Sequence, residues 1–187
     1  MSDILVKAIA ALWLAIPALA ANSTAVIFGG GTPIDFGRTF YDGKRILGNG
    51  KTWRGLIGGG AAAASIGYLQ QMLSCFLHTA YIPVFSMNQC AAVGIPLVLA
   101  YGALIGDSTG SFIKRRLGIG RGQQAYFLDQ MTFMIISLLF VALAYPDFFF
   151  MYFWNATAII TIFVITPLLH RVVNMIAYKM GYKDVPW

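Results

Sequence analysis

Hydrophobic positions in this chain are grouped into five long runs, separated by charged residues, prolines and glycines. Most runs approach the roughly 20 residues that an α-helix needs to cross the hydrocarbon core of a bilayer. The pattern therefore predicts five transmembrane helices. Their approximate limits are Ile4–Phe28, Gly55–Ala80, Ala91–Ile113, Gln130–Tyr145 and Phe148–Leu169. The last helix is expected to continue to about Met180, since polar residues recur there at helical spacing.

Composition supports this interpretation. Hydrophobic residues make up 58% of the chain and charged residues only 11%, which is too little polar surface to cover a soluble globule of this size. We therefore expect an all-α integral membrane protein with a single transmembrane domain over residues 1–187. The formal net charge of +6 suits anionic partners such as phosphates or lipid headgroups.

The basic residues set the orientation of the predicted helices. Twelve of the thirteen lysines and arginines fall in the loops 29–54 and 114–129 or at the C-terminal end, all on one side of a five-helix arrangement. The positive-inside tendency then makes both loops and the C-terminus cytoplasmic and leaves the N-terminus outside, in a multi-pass protein of the cell membrane. These residues are Arg38, Lys44, Arg45, Lys51, Arg54, Lys114, Arg115, Arg116, Arg121, Arg171, Lys179 and Lys183.

The first run also has some features of a cleaved signal peptide, because Ala18-Leu19-Ala20 imitates a cleavage site. Its basic N-terminal region is weak, since Asp3 offsets Lys7, and the apolar run continues through Phe28. A spanning helix that Pro17 kinks is the favoured interpretation.

Two aspartates stand out at membrane depth. Asp107 lies about two turns inside the third run, and Asp129 comes just before the short fourth run. An ionisable group at that depth is costly and is a functional-site hypothesis by default. We expect the two carboxylates to converge from adjacent antiparallel helices, where they would repel one another unless protonated or bridged by a cation. Hard oxygen ligands near phosphates favour Mg²⁺.

Polar residues near Asp107 share one face if the third helix reaches Arg116. Gly110, Ser111 and Lys114 follow Asp107 at offsets of three, four and seven, which places them along one side of a helix. Asp107 and Lys114 would be about 10 Å apart along the axis. That distance disfavours an ion pair between them and suits contact with an extended polyphosphate.

The loop 29–54 carries a sequence that imitates a phosphate-binding loop, Gly50-Lys51-Thr52. That motif requires a glycine where this chain has Arg45, and no strand precedes it. Its glycines, hydroxyl and cations could still bind phosphates, and on charge alone a solvated cytoplasmic turn is an equally good interpretation. In the same loop Pro33-Ile34-Asp35-Phe36-Gly37 places a carboxylate in a tight turn, where aspartate commonly serves turn geometry.

Some features have structural explanations. Gly58-Gly59-Gly60 and the four alanines after it are typical of close helix packing in membranes. Cys75 and Cys90 leave both a disulfide and two free thiols open.

Together these motifs resemble the membrane cytidylyltransferases that make CDP-activated lipids. The resemblance rests on Gly106-Asp107, Ser111 and Lys114-Arg115 followed by Asp129-Gln130. The chain is most similar to the archaeal CDP-archaeol synthases, because further matching segments extend over nearly its whole length. These segments are Pro33–Gly37, Gly48 with Lys51-Thr52-Trp53-Arg54-Gly55, and His170-Arg171 with Asn174.

The resemblance implies a transmembrane catalytic domain that uses CTP, a prenylated glycerol phosphate lipid (digeranylgeranylglyceryl phosphate) and Mg²⁺, with the active site facing the cytoplasm. It implies that Asp107 and Asp129 hold the metal and that Lys114 joins them in catalysis. We expect no nucleic-acid partner, and the oligomeric state stays open. The residues expected to bind substrates are Asp35, Asn49, Lys51, Thr52, Arg54, Ser111, Arg115, Gln130, His170, Arg171 and Asn174.

Two alternatives remain. Phosphatidate cytidylyltransferases acting on acyl lipids resemble only the C-terminal half; their loop has Lys-Asp and His-Gly-Gly elements where this chain has Gly118-Ile119-Gly120-Arg121-Gly122. Their second carboxylate is followed by arginine, whereas Asp129 is followed by Gln130. A non-catalytic transporter or binder of anionic lipids would use the same basic face, but the outer halves of the helices lack the charged residues that a pathway needs.

Overall fold

The computed structural model describes residues 3–79, 81–120 and 123–182. Arg121 and Lys183, two of the basic residues counted above, lie outside these ranges. Within them the chain is helical, with two isolated β-bridges and no longer strand. The helices are α1 Asp3–Ile27, a π-helical turn Gly55–Gly59 that leads into α2 Gly60–Leu77, α3 Gln89–Arg116, α4 Tyr126–Gln130, α5 Thr132–Ala144, α6 Pro146–Tyr152 and α7 Ala156–Lys179.

Three of the described helices, α1, α3 and α7, are long and apolar enough to cross a membrane. The prediction of an all-helical membrane protein is thus confirmed. Helix α5 is apolar but only 13 residues long, or about 20 Å. The uninterrupted run of α3 to Arg116 also confirms that Asp107, Gly110, Ser111 and Lys114 share a helix.

Two predicted segments were wrong in detail. The fourth was expected to run unbroken from Gln130, opened by Asp129, but Asp129 lies in the separate one-turn helix α4 and α5 begins at Thr132. The Asp129 carboxylate accepts a hydrogen bond from the Ala125 N–H at 3.0 Å and so fixes the start of α4. The fifth segment is divided into α6 and α7, because the Asn155 side chain accepts from the Ala158 N–H and caps a new helix.

Small residues let the helices approach closely, as the glycine and alanine run predicts. A methyl group added to Gly59 would lie 2.5 Å from the Ala25 Cα of α1. Helix α3 packs against α1, α2 and α5 at the centre of the bundle, and its contact with α5 is also made through glycine. At Gly106 an added Cβ would lie 2.7 Å from the Phe133 Cα. The predicted packing role of the glycine run at positions 58–60 is confirmed, and Gly106 has a packing role that was not predicted.

The same contacts fix the relative direction of three helices. Gly67 of α2 contacts Pro17 of α1, whereas Gly59, at the end of the π-helical turn that leads into α2, contacts Ala25. Helices α1 and α2 are therefore antiparallel. Gly67 also contacts Pro96 of α3, whereas Gly60 contacts Tyr101 of α3. Helices α1 and α3 are therefore parallel, and their C-terminal ends meet at one end of the bundle. The loop 29–54 lies at this end.

Candidate active site

Asp107 on α3 forms an ion pair with Lys51 of the loop 29–54. The two side chains are 28% and 24% exposed, so the pair is shielded from bulk water without being fully buried. Because 55 residues separate the partners along the chain, the pair ties the loop to the face of α3. The loop that carries the predicted binding residues Lys51 and Thr52 therefore lies against Asp107.

Asp129 on α4 has its own lysine partner. The Lys114 ammonium on α3 lies 2.7 Å from the Asp129 carboxylate and 3.1 Å from the Gln123 carbonyl, to which it also donates. Lys114 is only 13% exposed. Asp107 and Lys114 thus have different partners, which agrees with the helical spacing that disfavoured a pair between them.

Gly110 brings the two ion pairs together, since it lies on α3 between Asp107 and Lys114. An added Cβ there would be 3.0 Å from the Leu128 carbonyl oxygen, the residue before Asp129. Helix α4 therefore rests directly on this part of α3. The result is a compact group of two carboxylates and two ammonium groups at one end of the bundle.

Asp35 organises the loop rather than facing an open space. Its side chain is completely buried and forms two hydrogen bonds with the Arg45 guanidinium, at 2.8 and 3.2 Å. It also accepts from the N–H groups of Gly37, Leu47 and Gly48. Burial acts to raise the pKa of the Asp35 carboxyl, but the Arg45 and backbone donors outweigh it and hold the pKa well below its usual range.

The segment that follows delivers Lys51 to Asp107. The Ile34 N–H donates to the Lys51 carbonyl at 2.8 Å, and Thr52 pairs with Pro33 in an isolated bridge. The Thr52 hydroxyl is buried and accepts from the Gly55 N–H at 3.1 Å, which caps the start of the π-helical turn. Thr52 thus has a structural contact, and its predicted substrate contact stays a prediction.

Arg116, the last residue of α3, holds the loop in a way that the sequence interpretation missed. Its guanidinium lies 2.7 Å from the Asp42 carboxylate and 4.9 Å from the ring centroids of both Phe40 and Phe112. It also donates to the carbonyls of Lys44 and Arg45, at 3.2 and 2.6 Å. We call Phe40, Asp42, Phe112 and Arg116 the arginine clasp. The sequence signal for this contact was Phe112, four positions before Arg116, a spacing that places the two side chains next to each other on one helix face.

A basic cleft of about 430 Å³ opens between the two loops. Arg115 lines it and bridges the loops, because it donates to the carbonyls of Leu47 and Ile119. Asn49, one of the residues predicted to bind substrate, lines the cleft, and so does Lys44, which was not among them. Its lining consists of Lys44, Arg45, Gly48, Asn49, Arg115, Gly118, Ile119 and Gly120. Three of these side chains are cationic, so the cleft suits a polyanion.

The remaining predicted residues lie around this end of the bundle. The His170 ring of α7 stacks on Phe133 at 5.3 Å, and Phe133 is the residue that packs on Gly106, next to Asp107. Asn174 is largely buried on the same helix, whereas Arg171 is exposed. Ser111 and Gln130 are half-buried and Arg54 is exposed. At the opposite end of the bundle, Cys75 near the end of α2 and Cys90 near the start of α3 are both free thiols.

The paired carboxylates also bear on metal binding. Within the described residues there is no cluster of three or more histidine, cysteine or acidic side chains. Mg²⁺ is usually held by one or two carboxylates together with substrate phosphates and water. Asp107 and Asp129 are hard oxygen donors that fit that pattern, and each already binds a cationic group. Neither aspartate lines the basic cleft, but Arg115 and Asn49 of its lining are, respectively, next to Lys114 and two positions before Lys51 in the chain.

The fold and this site define the class: a helical membrane protein with a charged, phosphate-compatible site at one end of the bundle. A family model described as CarS-like, CDP-archaeol synthase, matches residues 1–187. The chain belongs to the CDP-archaeol synthase family.

Named relatives cover essentially the whole chain. A CDP-archaeol synthase of Archaeoglobus fulgidus is 43% identical over 187 residues, all of both chains. One of Pyrococcus furiosus is 45% identical over 95% of this chain and 96% of its own. A solved structure titled as an intramembrane enzyme for archaeal membrane lipids biosynthesis is 38% identical, with a TM-score of 0.62, and covers 83% of this chain and 89% of its own.

Proposed function

We propose that this protein is a membrane cytidylyltransferase that transfers CMP from CTP to digeranylgeranylglyceryl phosphate, giving CDP-archaeol and pyrophosphate. Family membership over the full length supports the reaction type. The observation that carries the proposal is the group of two lysine-paired aspartates beside a basic cleft. A site with these charges can hold two phosphorylated substrates side by side without a large net charge in the membrane.

The basic cleft is the proposed site for the triphosphate of CTP. Lys44, Arg45 and Arg115 supply its positive charge, and the Gly48 and Gly118–Gly120 region lets a ligand approach the backbone. Lys51 and Lys114, the partners of the aspartates, continue this positive surface toward the bundle. Substrate phosphates would compete with the carboxylates for these two ammonium groups. The lysines then hold the phosphates during transfer.

Asp107 and Asp129 would hold Mg²⁺ together with phosphate oxygens. When bound, the metal neutralises charge that develops on the transferring phosphoryl group. Lys51 and Lys114, which pair with these two aspartates, are the cationic groups nearest to them and would contact the substrate phosphates.

The lipid phosphate needs no protein base, because a phosphomonoester with a second pKa near 6 is largely dianionic at neutral pH. One of its oxygens attacks the α-phosphorus of CTP in line. A new P–O bond forms, the bond between the α-phosphorus and the bridging oxygen breaks, and pyrophosphate leaves with that electron pair. The side chains of the site position the reactants and stabilise the leaving pyrophosphate.

We also propose the finer topology, with five membrane spans, an outer N-terminus and a cytoplasmic active site in the cell membrane. Helices α1, α3 and α7 are long enough alone, and α2 and α5 would cross as shorter, tightly packed helices. The positive-inside tendency and the position of the basic cleft at the C-terminal ends of α1 and α3 support this orientation.

Purified protein with labelled CTP, Mg²⁺ and digeranylgeranylglyceryl phosphate tests the reaction. We expect CDP-lipid and pyrophosphate in equal amounts. A diacyl phosphatidate, assayed in parallel, tests the alternative of an acyl-lipid enzyme and is expected to react more slowly. Lipid binding without product from either substrate would contradict the proposal and favour an anionic-lipid transporter or binder.

A further inference from the structure

An asparagine inside the helix bundle has no evident partner. Both polar atoms of the Asn22 side chain on α1 are buried without a hydrogen bond among the described residues. The Thr166 hydroxyl on α7 is in the same situation, in a residue that is only 1% exposed. Buried polar groups are nearly always paired, and unpaired ones inside a membrane protein indicate a function.

Contacts between helices give the depth of Asn22. Gly67 touches both Pro17 and Pro96, so these two prolines lie at the same depth on the parallel helices α1 and α3. Asn22 is five positions after Pro17 and is therefore level with the residue five positions after Pro96, which is position 101 of α3. Asp107 is six positions further along α3, or about 9 Å closer to the end of the bundle. Asn22 thus lies below the charged site, toward the centre of the membrane.

Thr166 lies at nearly the same depth. Gly106 packs on Phe133, and Phe133 stacks on His170, which makes position 170 of α7 level with position 106 of α3. By the register above, that is the level of position 27 of α1. Helix α7 follows α6, whose Phe148 stacks on Phe85 at the end of the bundle where α3 begins, and it reaches Phe133 at His170, so α7 is parallel to α3. Thr166 is therefore one turn deeper than His170, level with position 23 and within about one residue of Asn22.

The two side chains also lie on faces that are buried in the bundle. Asn22 continues the α1 stripe of Ala11, Ala15 and Ala18, which are fully buried. It is turned about 140° from Pro17, which touches α2, and about 60° from Ala25, which touches the π-helical turn. Helices α3 and α7 also pack on α1. Thr166 belongs to the buried stripe of α7, with Ala158, Ile162 and Asn174.

We propose that Asn22 and Thr166 form a subsite for the glycerol oxygens of the lipid phosphate. This inference rests on the proposed function. When the lipid phosphate lies at the depth of Asp107, the glycerol backbone is the next group toward the membrane centre, at the depth of Asn22 and Thr166. An amide N–H and a hydroxyl donate hydrogen bonds to ether oxygens, which only accept.

The test compares wild-type protein with Asn22→Leu and Thr166→Val, two substitutions that keep size and remove polarity. Turnover is measured while CTP and digeranylgeranylglyceryl phosphate are varied in turn, and thermal stability is measured without substrates. We expect the KM for the lipid to rise about tenfold, the change for one lost hydrogen-bonded contact, with an unchanged KM for CTP. The melting temperature should stay equal or rise, because unpaired buried polar atoms are removed.

A long-chain alkyl phosphate, which lacks the glycerol oxygens, serves as a competing ligand. Its inhibition constant should be the same for wild type and both variants. Weaker inhibition of the variants, in step with their lipid KM, would mean that the residues contact the phosphate and would overturn the proposal. An unchanged lipid KM, or an equal rise in the KM for both substrates, would overturn it as well.

Gln70→Met is the matched control. The Gln70 side-chain oxygen is also buried without a partner among the described residues, but Gln70 lies on the far side of Gly67 from the charged site and its amide donates to the Trp13 carbonyl. This variant should lower the melting temperature without changing the lipid KM. If wild type forms no CDP-lipid at all, the proposed function fails; if it does and both variants match it, only the subsite fails.

Discussion

Asp107 and Asp129 each form an ion pair with a lysine, and both pairs are partly shielded from water. Asp107→Asn and Asp129→Asn keep the shape of the side chain but remove the charge that would hold Mg²⁺. Each is expected to lower turnover at least about a hundredfold, while the protein still accumulates in membranes. Steady-state assays over a range of Mg²⁺ concentrations measure this effect, and near-normal activity of either variant would contradict the assignment.

Arg116 acts on the site through the loop that it holds. Arg116→Lys keeps the positive charge, but an ammonium group cannot reproduce the forked contacts with Asp42 and two carbonyls or present a planar face to the Phe40 and Phe112 rings. The basic cleft should then lose its shape, and we expect the KM for CTP to rise several-fold with a smaller change in kcat. Arg38→Lys, at an exposed arginine of the same loop, is the control, and an equal effect there would exclude a specific role for the clasp.

Asp35 makes the stability of the loop depend on pH. Its pKa is lowered in the folded protein, so its contribution to stability is fully present above the ordinary pKa of about 3.8 and declines as pH falls below that value. Asp35→Asn should therefore expose the loop 29–54 to proteases at neutral pH. The difference in loop cleavage between the variant and wild type should shrink as pH falls below 3.8. Limited digestion with an acid-active protease measures this cleavage at low pH. A difference that stays constant with pH would contradict this account.

At the scale of elements, the contact between α3 and α5 depends on glycine. Gly106→Ala places a methyl group 2.7 Å from the Phe133 backbone, so α5 has to move. We expect a loss of about 1–3 kcal/mol in stability, seen as a lower melting temperature, and weaker activity because α4 and Asp129 move with α5. Gly50→Ala, where an added methyl group has open space, should leave the melting temperature unchanged.

The sequence predicted the long helices well, because apolar runs of membrane length set their positions, and α1 and α3 end within a few residues of the expected limits. It did not predict the breaks before α5 and α7. The break before α5 falls at Met131, after the separate helix α4 whose start Asp129 caps, and the start of α7 depends on capping by Asn155. A hydropathy profile does not report such capping contacts.

Several charged residues named from the sequence are brought together in the structure, but their pairings were not predicted. Helical spacing alone placed Asp107 and Lys114 on one face and disfavoured an ion pair between them. The partners Lys51 and Asp129 come from other elements, so their choice depends on how the loop and α4 fold over α3. Arg116 was counted only as one basic residue among three in succession, and its partners Phe40 and Asp42 lie more than 70 positions away.

At the scale of the whole molecule, the proposed orientation places two exposed residues on opposite sides of the membrane. Cys90, just inside the start of α3, should face the outside, and Tyr41, at the tip of the loop 29–54, should face the cytoplasm. In a Cys75→Ser background, a membrane-impermeant maleimide added to intact cells should label Cys90. With Cys90→Ser also present, Tyr41→Cys should react only after the membrane is opened. The reverse pattern would overturn the topology.

The order of the ion-pair partners along the chain has a consequence for biosynthesis. Lys51 precedes Asp107, and Lys114 precedes Asp129. Since a chain is made from its N-terminus, each aspartate leaves the ribosome after the lysine that will neutralise it. Neither acidic residue therefore has to enter the bilayer before its counter-charge exists, and the nascent protein can insert α3 and α4 without waiting for a metal ion or a substrate.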